Sequence, residues 1–122
     1  MARGTLSLKR VYEPAEEADG MRVLVDRLWP RGLEKSRAAV DEWLKDVAPS
    51  PALRKWFGHD PARWADFQRR YLAELADNSA VDRLRELQRQ QQHLTLLYGA
   101  RDAEHNQAVV LRDYLARGDA GA

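Results

Sequence analysis

The apolar positions of this chain follow a strand pattern at both ends and a helical pattern in the middle. Alternating residues from Thr5 to Tyr12 predict a first strand at the edge of a sheet. Short apolar runs at Met21–Leu28 and Leu94–Tyr98 predict two strands that are buried on both faces and therefore central. Pro30 and Gly32 end the second strand, because proline cannot continue a hydrogen-bonded ladder and glycine permits a turn.

Helical signals occupy the segment between these strands. A short helix is expected at Leu33–Ala39, and Ser50 followed by Pro51 begins another, which Gly58 ends. Asp60 and Pro61 repeat the start signal before an apolar stripe at spacings of three and four residues. The members of that stripe are Trp64, Phe67, Tyr71 and Leu75.

Two more helices complete the pattern, and one segment stays ambiguous. Ser79 with Asp82 resembles a capping pair for a helix to about Gln92. Asp102 is expected to cap a last helix. The inner faces of these two helices are Val81, Leu84 and Leu87 in the first, and Ala108, Leu111 and Leu115 in the second. The segment Val40–Pro49 fits either a helix or a strand, and we favour a strand that ends at Pro49.

This order of elements predicts a three-layer α/β fold with a small, mainly parallel sheet of about four strands flanked by helices. A length of 122 residues fits one domain, 1–122, with a frayed tail from about residue 117. The sequence has no apolar run near the roughly 18 residues of a membrane span, and no signal peptide is visible. We therefore expect a cytoplasmic protein without a membrane partner.

Composition narrows the chemistry. The chain has no cysteine, which excludes disulfides, thiolate nucleophiles and thiolate metal sites. Its three histidines lack metal-ligand spacing, and phosphate-loop and dinucleotide motifs are missing, so we expect neither a metal nor a cofactor. A net charge of +1 gives no strong global field for nucleic acid, which makes a nucleic-acid partner an unfavoured hypothesis.

Cationic and hydrogen-bonding residues follow both central strands. If these strands are parallel neighbours, their polar ends meet at the edge where open α/β sheets bind ligands. Arg27, Arg31, Arg101, His105 and Asn106 would then converge on one small region. Because guanidinium groups match the geometry of oxyanions, this cluster predicts a site for a small molecule bearing phosphate or carboxylate.

Within that site we assign roles by chemistry. His105 is the candidate acid–base group, because its ordinary pKa lies near neutrality. Asp26 is the second catalytic candidate, either as a general base or as a group that orients a histidine or an arginine. Arg27, Arg31 and Arg101 would hold the anion, and Asn106 and Tyr98 would orient the ligand. The sequence leaves open whether any reaction follows binding.

Structural readings of the same residues stay open. Asp26 could accept hydrogen bonds from the backbone of the next loop, or hold magnesium with Asp102 or Glu104. Tyr98 could pack as an ordinary strand aromatic, and the residues from 101 to 106 could serve only to cap the last helix. The aromatic segment Trp56–Trp64 around His59 could be a lid hinged at Gly58, or a plain helix–helix corner.

From Lys9 to about Leu115 the chain resembles the YeaO-like proteins of domain-of-unknown-function family 488. The resemblance implies an α/β fold and a cytoplasmic bacterial protein, without a known activity. More distant members carry a cysteine motif after the last strand and a second cysteine beside their histidine, and this chain has neither. The matching stretches are Lys9–Tyr12, Val25–Gly32, Trp43–Lys45, Ala48–Ser50, Leu53–Pro61, Leu97–Asp102 and His105–Asn106.

Two rival hypotheses come from other functional classes. In one, the protein is a nucleic-acid-binding or regulatory module whose helix arginines follow a phosphate backbone, although acidic neighbours dilute that face. Those arginines are Arg63, Arg69, Arg70, Arg83, Arg85 and Arg89. In the other, the protein is an interaction protein, and the arginines after the central strands only bridge loops.

Overall fold

A computed structural model describes the backbone of residues 5–121 and the side chains of residues 5–117. Its four-stranded sheet is entirely parallel and has the order β1-β4-β2-β3. The strands are β1 (Thr5–Arg10), β2 (Met21–Leu24), β3 (Glu42–Trp43) and β4 (His93–Tyr98). The predicted α/β class is therefore confirmed, with β1 at an edge and β2 and β4 as central neighbours.

Within residues 5–121, five helices flank the sheet, with short 3-10 turns at 17–19, 45–47 and 61–63. The last helix covers most of the segment for which we expected a frayed tail. The side chains from residue 118 onward, and residue 122 altogether, lie outside the described part, so that expectation stays a prediction. The helices are α1 (Lys35–Ala38), α2 (Pro51–Phe57), α3 (Trp64–Ala76), α4 (Val81–Gln90) and α5 (Gln107–Gly121).

The two faces of the sheet are covered unequally. Alternation along the strands sends Val23 and Leu96 to one face and Leu24 and Leu97 to the other. The first face packs against α2 to α5 in the main core, where the predicted inner residues of α3, α4 and α5 are found. The second face packs against α1 and its flanking loops.

Some element bounds differ from the sequence prediction. β2 ends at Leu24, four residues earlier than expected, although the Val25 N–H still bonds to the Leu97 carbonyl at 3.1 Å. The segment 40–49 forms a strand over two residues only and then turns. Side chains from other segments form hydrogen bonds with the backbone of this turn. The Tyr71 hydroxyl, for example, donates to the Val47 carbonyl at 2.5 Å.

Two predicted caps are wrong, and two are confirmed. Asn106, not Asp102, caps α5, since its Oδ1 accepts from the backbone N–H groups of residues 108 and 109 at 2.9 and 3.2 Å. Near the start of α4 the side chain of Asn78, not Ser79, accepts a backbone bond at 2.9 Å. Ser50 and Asp60 cap as expected.

Among the described residues, the helices are all too short or too polar to cross a membrane.

Candidate functional site

A cavity of about 520 Å³ opens at the carboxyl end of the parallel sheet. The segments that follow all four strands line it, including Tyr12 after β1, residues 26–31 after β2, Pro49 after β3 and Gly99 after β4. Helical neighbours complete the wall with Arg54, Phe57, His59, Phe67 and Gln107. This is the edge at which open parallel sheets bind ligands.

Asp26 is the one carboxylate among the residues that line this cavity. Its Oδ2 accepts a hydrogen bond from the Gly99 N–H at 2.9 Å, and its Oδ1 accepts from the Gln107 side-chain amide. Burial raises the pKa of Asp26 to about 6, although these two bonds and the nearby side chains of His59 and Arg54 act in the opposite direction. Both hydrogen-bond donors are neutral, so the carboxylate carries its charge into the cavity without a direct counterion.

Gly99 is required for this arrangement. A Cβ at position 99 would lie 2.9 Å from Oδ2 of Asp26, closer than a carbon atom tolerates. The lack of a side chain therefore lets the end of β4 approach the carboxylate that follows β2.

Arg27 is held in place by backbone carbonyls after β3. Its Nε donates to the Pro49 carbonyl at 3.3 Å, and its terminal nitrogen donates to the Ala48 carbonyl at 3.2 Å. The nearest carboxylate oxygen, on Asp46, is 3.9 Å away, beyond hydrogen-bonding distance. A guanidinium has five N–H donors, so Arg27 keeps donors for a ligand while its position is fixed.

Helix α3 supports the loop that holds Arg27. The Tyr71 hydroxyl donates to the Val47 carbonyl, and burial raises the pKa of Tyr71 far above its usual range, so the donor stays protonated. Glu74 accepts from the N–H and the hydroxyl of Ser50 at 2.8 and 2.6 Å. These bonds fix both the carbonyls beside Arg27 and the start of α2, which carries Arg54.

Arg31 and Arg54 bring further positive charge to the cavity. Both side chains are exposed, and neither guanidinium makes a hydrogen bond or an ion pair within the described part of the chain. The main chain of Arg31 is nevertheless fixed, because its carbonyl accepts from the Tyr12 hydroxyl at 2.9 Å. Two exposed guanidinium groups thus line the same cavity as Arg27.

His59 lines the cavity from an unusual backbone conformation. Its φ of 57° is in the left-handed region, directly after Gly58 at 53°. A non-glycine residue there costs about 1–2 kcal/mol, and such strain often accompanies functional positions. The imidazole lines the cavity while it stays exposed to solvent.

Two of the predicted site residues are buried in structural roles. Tyr98 is 5% exposed, packs in the main core, and burial raises its pKa. Asn106 is 1% exposed and uses its side chain to cap α5, while its amide donates to the Asp102 carbonyl at 2.8 Å. Neither side chain lines the cavity.

Two further predicted site residues, Arg101 and His105, lie on the turn before α5. Nδ1 of His105 is 2.9 Å from a carboxylate oxygen of Asp102, and its ring packs edge-on against Trp64 at 5.2 Å. Backbone hydrogen bonds from Glu104, together with His105, lower the pKa of Asp102. Arg101 is exposed and, like His105, does not line the cavity. The cavity thus brings together three of the predicted site residues, Asp26, Arg27 and Arg31. The other four, Tyr98, Arg101, His105 and Asn106, do not line it.

Several cavity residues were not among the predicted site residues, and four of them carry polar side chains that could contribute to binding. Arg54 and His59 come from α2 and the turn after it, Gln107 from the first turn of α5, and Tyr12 from the end of β1. All but Gln107 lie in stretches that carry the family resemblance, which is the signal that could have found them. Gln107 has no such signal, because only packing reveals its bond to Asp26.

The described residues contain no group of three or more histidines and acidic side chains that could hold a metal ion. Asp26 bonds to Gly99 and Gln107, whereas Asp102 bonds to its own turn. The alternative of a magnesium site shared by Asp26 and Asp102 therefore finds no support in the geometry.

The arginines of the long helices are largely paired. Arg83 forms two 2.8 Å bonds to Glu42 and a further bond to Glu86, and Arg69 bonds to Asp66 at 2.6 Å. Arg85 lies over the ring of Tyr114 at 5.3 Å. A phosphate-tracking face would need these charges to be available, so the pairing does not favour the nucleic-acid hypothesis.

Fold and cavity together define an α/β protein with an arginine-lined recess at the strand ends. Comparison with known families matches residues 5–119 to the family described as "Inactive DUF488-N3 subclade". The chain belongs to this DUF488 family.

Three curated relatives are 49% identical to the chain. The uncharacterized protein YeaO of Escherichia coli matches over 111 residues, which is 90% of this chain and 96% of the relative. The uncharacterized proteins Mb3100c of Mycobacterium bovis and Rv3073c of Mycobacterium tuberculosis each match over 88 residues, 71% of this chain and 75% of theirs. No solved structure matches.

Proposed function

We propose that the cavity binds a small molecule that carries a phosphate or carboxylate group. The observation that carries this proposal is the imbalance of charge in its lining, which holds three arginines and His59 but a single carboxylate. Arg27 and Arg31 keep the ligand-binding role predicted from the sequence, and Arg54 joins them.

Energetics favour this assignment over a purely structural one. Arg31 and Arg54 have no carboxylate partner among the described side chains, so an incoming anion displaces no existing ion pair. A hydrogen bond to a charged group contributes about 1.5–3 kcal/mol, and the carbonyls that hold Arg27 reduce the entropy lost on binding. The structural hypothesis explains Arg27 but gives Arg31 and Arg54 nothing to bridge.

We assign binding rather than turnover. His105, the predicted acid–base group, is outside the cavity lining, and the chain lacks the thiols found in more distant members. The family description "Inactive" supports the same choice. Asp26 and His59 are the titratable groups in place for proton transfer should a reaction be found. Cytoplasmic location stays a prediction.

Calorimetric titration with inorganic phosphate tests the proposal. Arg31→Ala and Arg54→Ala should each weaken phosphate binding about ten-fold. Arg89→Ala is the matched control, because Arg89 is an exposed arginine on α4 that does not line the cavity. Unchanged affinity in both cavity variants would overturn the proposal, and a loss confined to Arg101→Ala would return the site to the turn before α5.

A further inference from the structure

The cavity contains two kinds of charge that a simple anion cannot satisfy together. Arg31 and Arg54 offer donors without partners, while Asp26 offers acceptor sites. A carboxylate has about four lone-pair positions, and Gly99 and Gln107 occupy two of them at Asp26. No donor within the described part of the chain occupies the remaining positions, and Asp26 lines the cavity.

Asp26 has no cation bonded to it. No lysine, arginine or histidine with a described side chain lies within 4.0 Å of its oxygens. His59 and Arg54 act on this half-buried carboxylate only at a distance, so its charge is incompletely neutralised. Gly99 and Gln107 nevertheless hold this carboxylate in the cavity wall. A neutral residue of the same size would be less destabilising to the folded protein at this position.

We propose, on the basis of the proposed function, that the ligand is a small zwitterion: an anionic group bound by Arg31 and Arg54, and an amine bound by Asp26. The amine supplies the positive charge that Asp26 lacks, and the anionic group supplies the negative charge that the arginines lack. Phe57, Phe67 and Pro30 line the same cavity and suit a short apolar spacer between the two groups.

A matched pair of probes isolates the amine. 3-Aminopropanesulfonate and butanesulfonate have nearly the same shape and the same permanent anionic group, but an ammonium in the first replaces a methyl in the second. At neutral pH the wild-type protein should bind the amine compound about ten-fold more tightly, the gain typical of one charge-assisted hydrogen bond.

Asp26→Asn provides the decisive variant. The asparagine keeps the size of the side chain, its oxygen accepts from Gly99, and Gln107 can rotate to accept from the new amide. In this variant the preference for the amine compound should vanish, while butanesulfonate and inorganic phosphate bind at least as tightly as to the wild type, because a negative charge has been removed beside the anion.

Each outcome has a separate meaning. Equal affinity of the wild type for both sulfonates, or a preference that survives Asp26→Asn, would overturn the zwitterion assignment and leave the anion site intact. If neither sulfonate nor phosphate binds, the proposed function itself fails. Arg31→Ala distinguishes specific from incidental binding, because it should weaken both sulfonates by the same factor and leave their ratio unchanged.

Discussion

Two carboxylates at opposite ends of β2, the buried Asp19 and the half-buried Asp26, show how differently this fold uses the same chemical group. Asp19 comes two residues before β2, is 8% exposed, and is bonded to Arg22 at 2.5 Å and to Lys9 at 3.1 Å. Asp26 follows the strand and bonds only to the neutral donors of Gly99 and Gln107. Two bonded cations neutralise the first carboxylate, whereas no cation within the described part of the chain is bonded to the second.

Their pKa values move in opposite directions for this reason. Burial opposes the charged form of both. At Asp19, the Glu16 N–H, Lys9 and Arg22 outweigh burial and lower the pKa. At Asp26 burial outweighs the hydrogen bonds from Gly99 and Gln107 and raises the pKa to about 6. A carboxylate with a lowered pKa is typical of a structural ion pair, whereas a raised pKa in a cavity is typical of a functional site.

The glycine beside each carboxylate repeats the contrast. Gly20 has a φ of 64°, and a Cβ there would lie 2.3 Å from the backbone oxygen of His93 in β4. At Gly99 the obstacle is the movable end of the Asp26 side chain instead. One glycine is needed by the fold, and the other is needed by the site.

The largest effect is expected from Asp19→Asn, which leaves the buried Arg22 without a charged partner, while Lys9 keeps its bond to Glu16. We expect a loss of about 3–5 kcal/mol in the free energy of unfolding, measured by urea denaturation. The control is Asp66→Asn, because Asp66 forms an exposed ion pair with Arg69 that should contribute under about 0.5 kcal/mol. Equal losses in the two variants would remove the contrast between structural and surface charges.

Gly20→Ala should follow, with a loss of roughly 3 kcal/mol from the forbidden backbone conformation and the collision with β4. Gly32→Ala is the control, because Gly32 also has a positive φ, 74°, but a Cβ there meets nothing within 4 Å. Thermal unfolding should show a clearly smaller loss for Gly32→Ala. A loss of similar size in both would mean that the collision with β4 contributes nothing.

Asp26→Asn should change the pH dependence of stability rather than abolish folding. A pKa raised in the folded state means that Asp26 contributes stability below pH 4 and that this contribution is lost as the pH rises through about 6. Relative to the wild type, the variant should therefore gain on the order of 2 kcal/mol between pH 4 and pH 7.

Urea midpoints of both proteins across that pH range provide the measurement. His59, Arg54 and Tyr71 also interact electrostatically with Asp26, and His59→Gln is the control that removes the neighbouring imidazole. If the two stability curves run parallel from pH 4 to pH 7, Asp26 does not have a raised pKa.

The smallest effect on stability, under about 1 kcal/mol, is expected from Gly99→Ala, since the Asp26 side chain can move aside. Binding of the amine compound should weaken instead, because the new Cβ displaces the carboxylate from its place between Gly99 and Gln107. The ratio of the affinities for 3-aminopropanesulfonate and butanesulfonate should fall toward one, while the melting temperature changes little. A retained preference would show that the position of Asp26 is not critical.

The sequence predicted the sheet well because its signals were local. The apolar runs of β2 and β4 and their turn residues identified two central strands, and Asp26, Arg27 and Arg31 could be placed at one sheet edge from chain order alone. The bounds were less predictable where tertiary contacts decide them, as at 45–47, where Tyr71 takes up a backbone carbonyl.

The site was only half predictable for a related reason. Residues 101–106 follow a central strand, but their side chains serve the turn before α5 and its cap, and the choice of Asn106 over Asp102 as that cap depends on three-dimensional packing. Arg54 and His59 reach the cavity because α2 packs beside it, and the left-handed conformation of His59 has no sequence signature.

The most direct test of the central claim is a nuclear magnetic resonance titration of the isotopically labelled protein with inorganic phosphate. The backbone amide of Gly99, the side-chain amide of Gln107 and the indole of Trp29 should shift together and saturate with one affinity. Shifts confined to residues 101–106, or no saturable shift at any of these groups, would contradict the account.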